Sequence, residues 1–250
     1  MSFINVSQEK DITTVTLTRG KVNAINESLV DELHAILKNL EDDPQARAVV
    51  LTGAGKFFSF GLDIPELYSY SQNDFLKFLQ KFTNLYTSLF LFPKPVVAAI
   101  NGHAIAGGCM LATPCDFRIM TTGKPRISLN EVTFGSSVFA GSVSILKFCV
   151  GAKNAAKILY SGSMFSAEEA HQMSLVDEIS TESDLAKKAM TKATELAGKD
   201  SAAFGSIKRL LRRPVADEMS HYEQDSLREF VEIWYSKSTR EQTKKIEIYS

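Results

Sequence analysis

Two short apolar runs constrain this chain more than anything else in it. Ala46 to Thr52 (ARAVVLT) stops at Gly53, and Pro95 to Ile100 stops at Asn101-Gly102, so both read as buried strands that break off into glycine-rich turns. Ahead of them, Ile12 to Thr18 (ITTVTLT) alternates apolar residues with Thr, the pattern of a further strand. Leu29, Val30, Leu33, Ile36, Leu37 and Leu40 then fall on one face of a helix that Asn26 caps and that Asp42, Asp43 and Pro44 end. Strand, helix, strand at this spacing is a β-α-β unit. After the second run, a Gly-rich segment leads into Cys109 to Ala112, the start of another helix, and Asp116 to Met120 reads as one more strand.

Beyond Gly151 the texture turns helical, with helices expected over Asn154 to Tyr160, Ala167 to Met173, Leu185 to Ala197, Ala202 to Leu211 and Met219 to Trp234. The last carries an aromatic-rich stripe, Tyr222, Leu227, Phe230, Val231 and Trp234, suited to packing within the chain or against another subunit. A chain of 250 residues, 44% of them hydrophobic, can bury a core for one large domain or a domain with an appendage. Its 28 basic and 29 acidic residues nearly cancel, which argues against a nucleic-acid binder and leaves any anionic ligand to a local site. Cys109, Cys115 and Cys149 are odd in number and set among apolar residues, as thiols of a reducing compartment are; they suggest neither a disulfide framework nor a metal site. The opening MSFINVSQEKDITTVTL lacks the pattern of a secretory signal, no run approaches a membrane span, and the closing IEIYS is not a peroxisomal address. The expectation is a cytoplasmic protein without a membrane partner.

Chemistry enters at the two glycine-rich junctions. Gly53 to Leu67 (GAGKFFSFGLDIPEL) runs from a strand to a helix that begins near Pro65, and Asn101 to Met110 (NGHAIAGGCM) is a second such junction, where Gly107 and Gly108 let backbone approach a ligand. Two junctions of this kind supply two backbone amides to one oxyanion, each worth roughly 3 kcal/mol to a developing enolate. Ser59, Ser136 and Ser137 lie in no recognisable Ser-His-Asp arrangement, His103 is a lone histidine in a loop, and His34, His171 and His221 sit within expected helices.

In the order FFSFGLDI, KPVVAAINGHAIAGGCMLATPCDFRI, SLNEVTFG and GAKNAAKILYSGSMFSAEEAHQMSLVDEI, the chain resembles the crotonase (enoyl-CoA hydratase/isomerase) superfamily from Ile12 to about Ile179. The resemblance implies an α/β fold, a crotonase-like spiral of β-β-α units, with an acyl-CoA-binding catalytic core over residues 1–195. A C-terminal helical region over 196–250 then serves oligomerisation into a homotrimer or a hexamer of paired trimers. It implies that the oxyanion amides belong to Leu62 and Gly107. Hydratases of the family carry one glutamate just after Gly-Gly-Cys and a second in a later loop; this sequence has Met110 at the first position and Glu131 at the second. Hydration uses two such groups, whereas moving a double bond uses one mobile carboxylate. Leu129-Asn130-Glu131 also resembles the Leu-Asn-Glu of Δ3,Δ2-enoyl-CoA isomerases, and Met110 becomes apolar lining that raises the pKa of Glu131.

Where hydratases carry a Pro-Gly-x-Gly-Gly run, this chain has Val138 to Ser142, and Phe139 reshapes the acyl pocket. For the CoA nucleotide the resemblance points to Lys21 and Lys56 as phosphate partners, Val22 and Ala24 as backbone partners of the adenine, and Phe60 beside them; Lys208 and Arg209 are weaker candidates. No separate cofactor is implied, coenzyme A being part of the substrate. The expected reaction is conversion of a 3-enoyl-CoA to a 2-enoyl-CoA in fatty acid oxidation. Hydration, decarboxylation and non-catalytic acyl-CoA binding stay open as alternatives.

Overall fold

The computed structural model describes residues 2–246, so all of the IEIYS stretch except Ile246 lies outside the described residues. In chain order the elements are β1 (Ile4–Glu9), β2 (Ile12–Leu17), α1 (Glu27–Asp42), β3 (Ala48–Gly53), β4 (Phe57–Ser59), α2 (Ile64–Leu67), α3 (Gln72–Leu91), β5 (Val96–Ile100), β6 (His103–Ile105) and α4 (Gly107–Ala112). There follow β7 (Phe117–Thr121), β8 (Ile127–Ser128), a 3-10 turn (Glu131–Phe134), α5 (Ala140–Ser161), α6 (Ala167–Gln172), β9 (Glu178–Ser180), α7 (Leu185–Ala197), α8 (Ser201–Trp234) and α9 (Lys237–Thr243). The Asn26 side chain accepts from the Leu29 amide at 3.0 Å, which starts α1 where the sequence expects it.

The larger sheet has the order β1-β2-β3-β5-β7-β9, antiparallel at β1/β2 and parallel thereafter. Side chains alternate across it. Val15, Val49, Leu51, Val96 and Ala98 face the main core, while Ile12, Ala48, Val50, Val97 and Ala99 face Leu185, Ala189, Ala193 and Ala197 of α7. Four-residue spacing puts those α7 residues in one narrow stripe, and the small alanines let the helix sit close to the sheet. Because both faces are covered, β3 and β5 read as unbroken apolar runs rather than as alternation.

A smaller parallel sheet, β4-β6-β8, is built from the segments that leave the larger one. Each of β3, β5 and β7 runs into a short strand of the second sheet and then into helix or 3-10 turn, giving three successive β-β-α steps. The glycine-rich junctions are the exits of the short strands.

The carboxyl third departs from the sequence expectation in two places. Ala202 to Leu211 and Met219 to Trp234 are one continuous helix, α8, with Pro214 inside it. A proline in a helix interior costs about 3 kcal/mol, and the helix is pinned on the near side of it: Asp116 holds Lys208 at 2.6 Å and Arg212 at 2.9 Å, and Arg212 also donates to the Phe90 and Pro114 carbonyls. Lys208 is therefore a buried structural cation and not a candidate for phosphate. The helix expected over Asn154 to Tyr160 is present after a break at Gly151 (φ 73°, ψ 161°), and ahead of that break the structure adds a helical stretch from Ala140, capped from outside by Glu223 and Ser226 of α8 on the Gly141 and Ala140 amides. Tyr222 of the aromatic stripe is exposed, whereas Leu227, Phe230 and Trp234 join the main core, with the Phe139 and Phe230 rings 4.6 Å apart. Cys109 and Cys115 are buried and Cys149 partly so, all as free thiols. Among the described residues, no helix is long and apolar enough to cross a membrane.

Candidate active site

At the first junction, Gly61 takes φ of 101°, a conformation that side chains rarely adopt, and a Cβ there would stand 2.7 Å from the Ile105 carbonyl oxygen. The turn leaves the Leu62 amide free while its neighbours pair with Ile25. Asp63 then caps α2 and is held by Arg19 at 2.6 Å. At the second junction Ala106 sits at φ 50°, ψ −117°, and this strained residue turns the chain into α4 so that Gly107 presents the first amide of the helix. A Cβ on Gly108 would meet the Ser59 carbonyl oxygen at 2.2 Å, so only glycine lets the two junctions touch. A Cβ on Gly107 would lie 3.4 Å from the Leu62 nitrogen. Neither the Leu62 nor the Gly107 amide has a hydrogen-bond partner among the described residues.

Both residues border a cavity of about 300 Å³, together with Phe60, Met110, Glu131 and Phe139. Among the described residues Glu131 is the only ionisable side chain in that lining, and it is 5% exposed. Burial pushes its pKa up to about 8, and its Oε2 has no hydrogen-bond partner among the described residues. Its backbone is well held, the carbonyl accepting from the Ser136 amide at 3.0 Å. Glu131 also borders a second cavity of about 410 Å³, walled by Leu129, Val132, Val138 and Leu159 together with Ser137 and Lys147.

Six of the residues singled out in the sequence thus meet around one space: Phe60, Leu62, Gly107, Met110, Glu131 and Phe139. Lys21, Val22, Ala24 and Lys56 do not line it. They lie in two loops that Asn23 ties together, its side chain donating to the Ala54 and Phe57 carbonyls at 3.0 and 2.9 Å. The Phe60 amide donates to the Val22 carbonyl at 2.9 Å, so these loops adjoin the rim, with Lys21 and Lys56 exposed. The Ala24 carbonyl accepts from Arg19. His103 stacks on Phe57 and accepts from the Arg126 amide, away from the cavity.

Sequence reasoning missed Phe134, Ser136, Phe230, Trp234 and Ile246 as lining residues. Phe230 and Trp234 carried a signal, the aromatic stripe, but periodicity gives a buried face and not what that face meets. The strain at Ala106 had no signal.

Residues 7–247 match the family model described as Enoyl-CoA hydratase/isomerase. The chain belongs to the enoyl-CoA hydratase/isomerase family. Within this crotonase family it is 36% identical over 184 residues to the mitochondrial enoyl-CoA hydratase of Pongo abelii, a match that spans 73% of this chain and 62% of that protein. It is 34% identical over 203 residues to the short-chain-enoyl-CoA hydratase of Clostridium acetobutylicum, spanning 80% and 76% of the two chains. Among solved structures, the human mitochondrial Δ3-Δ2-enoyl-CoA isomerase superimposes with a TM-score of 0.93 at 25% identity, over 97% of this chain and 96% of that one. The protein is an enzyme of the enoyl-CoA hydratase/isomerase type, and the relatives it resembles divide between hydratase and isomerase.

Proposed function

We propose that this enzyme isomerises a 3-enoyl-CoA to the conjugated 2-enoyl-CoA. One observation carries the reading: the cavity offers a single carboxylate, Glu131, with apolar Met110 facing the same space. Hydration requires one group to activate water and one to handle the proton, and a site with a single ionisable group is poorly equipped for it. An allylic shift needs only one. Ionised Glu131 takes the proton from C2, the C2–H electrons form an enolate, and the negative thioester oxygen accepts from the Leu62 and Gly107 amides. The dienolate is planar, and Glu131 returns the same proton to C4, leaving the double bond between C2 and C3. Atoms and charge balance without water or a cofactor.

Support for the amide roles comes from their lack of a partner among the described residues and from the glycines that force them together. Lys21 and Lys56, exposed in loops tied to the cavity rim, suit the phosphates of CoA, and Val22 and Ala24 beside them suit the adenine. Phe139, packed on Phe230, closes the acyl end. For assembly we propose α8, which leaves Ile207, Leu210 and Leu211 exposed, as the face of a homotrimer, to be checked by light scattering of the protein in solution.

The decisive assay offers the purified protein a 3-enoyl-CoA and, separately, a 2-enoyl-CoA, following the conjugated thioester by ultraviolet absorbance. Rapid gain of absorbance with the first and little loss with the second is the expected result. Fast hydration of the second would overturn the isomerase reading.

A further inference from the structure

The turn that carries Glu131 and the loop that carries Leu62 are far apart in sequence and share no strand, yet one short helix touches the turn and the far end of the helix that follows the loop. The 3-10 turn ends at Gly135, which takes φ of 73° and whose amide closes the turn onto the Glu131 and Val132 carbonyls. The Gly135 carbonyl in turn accepts from the Thr239 hydroxyl of α9, and Thr239 is 1% exposed. Contact there is tight: a Cβ on Gly135 would lie 3.1 Å from Gln242 Nε2. On the opposite wall α2 starts two residues after Leu62 and is capped at its C-terminus by Tyr68. The next residue of α9, Arg240, donates to the Tyr68 carbonyl at 3.1 Å and lays its guanidinium 3.4 Å from the centroid of the Tyr68 ring. Tyr235, at the end of α8, donates to the Tyr70 carbonyl at 2.6 Å. Two consecutive side chains therefore hold the residue that ends the Glu131 turn and the residue that ends the helix after Leu62.

We propose that Thr239 and Arg240 are positioning residues, which hold the Glu131 turn at a fixed separation from the Leu62 amide. The proposal rests on the reading of Glu131 as the acid/base. Neither residue borders the cavity, so neither touches substrate. Their effect passes through the Gly135 carbonyl and the Tyr68 backbone. Proton transfer between C2 and C4 depends on where one carboxylate stands over the dienolate, and a misplacement of about 1 Å costs on the order of 10²-fold.

Thr239→Val keeps the shape and removes the hydroxyl, whereas Thr239→Ser keeps the hydroxyl and removes a methyl group. Expected for Thr239→Val is a fall in kcat of about ten- to a hundredfold. Binding of a saturated acyl-CoA, which lacks the reacting double bond, should be unchanged, and Thr239→Ser should restore kcat. Hydrogen exchange resolved by peptide gives a readout independent of turnover. The amides of Gly135 and Ser136 should exchange faster in Thr239→Val, while those of β3 and β5 do not. That arm stands even if wild-type protein fails to isomerise, so failure of the mechanism and failure of the clamp are separable. Arg240→Lys keeps the charge but loses the stack on Tyr68, and it serves as a second variant with a smaller expected fall in kcat. Normal kcat in Thr239→Val, equal loss in Thr239→Ser, or exchange that quickens across the whole fold would each overturn the proposal.

Discussion

The two walls of the cavity are made in different ways. One, at Leu62, Ala106 and Gly107, is backbone: it presents two amides, and its shape is enforced by contacts at Gly61 and Gly108 that leave no space for a Cβ. The other, formed by Glu131, Phe139, Phe230 and Trp234, is side chain, assembled from the 3-10 turn, α5 and α8. The backbone wall is a local construction, two turns pressed together within about fifty residues of chain. The side-chain wall exists only because a long helix packs across α3 and α5. A backbone donor survives most substitutions at its own position and fails when a neighbour gains a methyl group. A side-chain donor behaves in the opposite way.

That contrast can be tested from its strongest consequence to its weakest. Glu131→Gln removes the one ionisable group of the side-chain wall, so isomerisation should fall about 10²- to 10⁴-fold in steady-state assays; retained activity would remove Glu131 from the mechanism. On the backbone wall, Gly107→Ala brings a methyl to 3.3 Å from the Leu62 side chain and 3.4 Å from its nitrogen. The expected loss in kcat is about 10²-fold with little change in Tm, because Gly107 needs no unusual φ and the strain falls on the oxyanion site. Gly108→Ala, one residue on, meets backbone at 2.2 Å and should instead lower the yield of folded protein.

Next in size is pH. With Glu131 held at about 8, roughly a tenth of the free enzyme carries the base at neutral pH, so kcat/KM should rise about tenfold from pH 7 to a plateau above 8. A profile already flat at pH 6 would place the working carboxylate in its ordinary range. Stability runs the other way: the folded form holds this proton more tightly than the unfolded form, so the gain is present below the usual carboxylate range and is lost as pH rises to about 8. Glu131→Gln has no such loss, and its advantage in Tm over wild type should grow between about pH 5 and pH 8.5. The smallest effect is Leu62→Ala, expected to change kcat by less than about threefold because the amide stays in place. A hundredfold loss there would mean that the side chain, not the backbone, serves the reaction.

How much of this was written in the sequence follows the same division. The β-α-β unit, the Asn26 cap, both glycine junctions and the meeting of Leu62 with Gly107, Met110 and Glu131 in one cavity accord with local pattern together with family resemblance. Periodicity did not reveal that α8 runs through Pro214, since the groups that hold it there, Asp116 and the Phe90 and Pro114 carbonyls, lie about a hundred residues away. Nor did it show the helical stretch that runs from Ala140 to the break at Gly151, because its cap arrives from Glu223 and Ser226. Local rules read local causes, and both of these missed features have distant ones.

The position of α9 also bears on when the enzyme comes into being. Leu62, Gly107 and Glu131 leave the ribosome well before Phe230, Trp234 and the Thr239-Arg240 pair, and domains begin to fold from the amino-terminal end during synthesis. A nascent chain ending short of residue 230 has the Leu62 and Gly107 amides and Glu131 but lacks Phe230 and Trp234 of the cavity lining. The cavity is thus completed only once the segment from Phe230 onward has been made and α8 has docked.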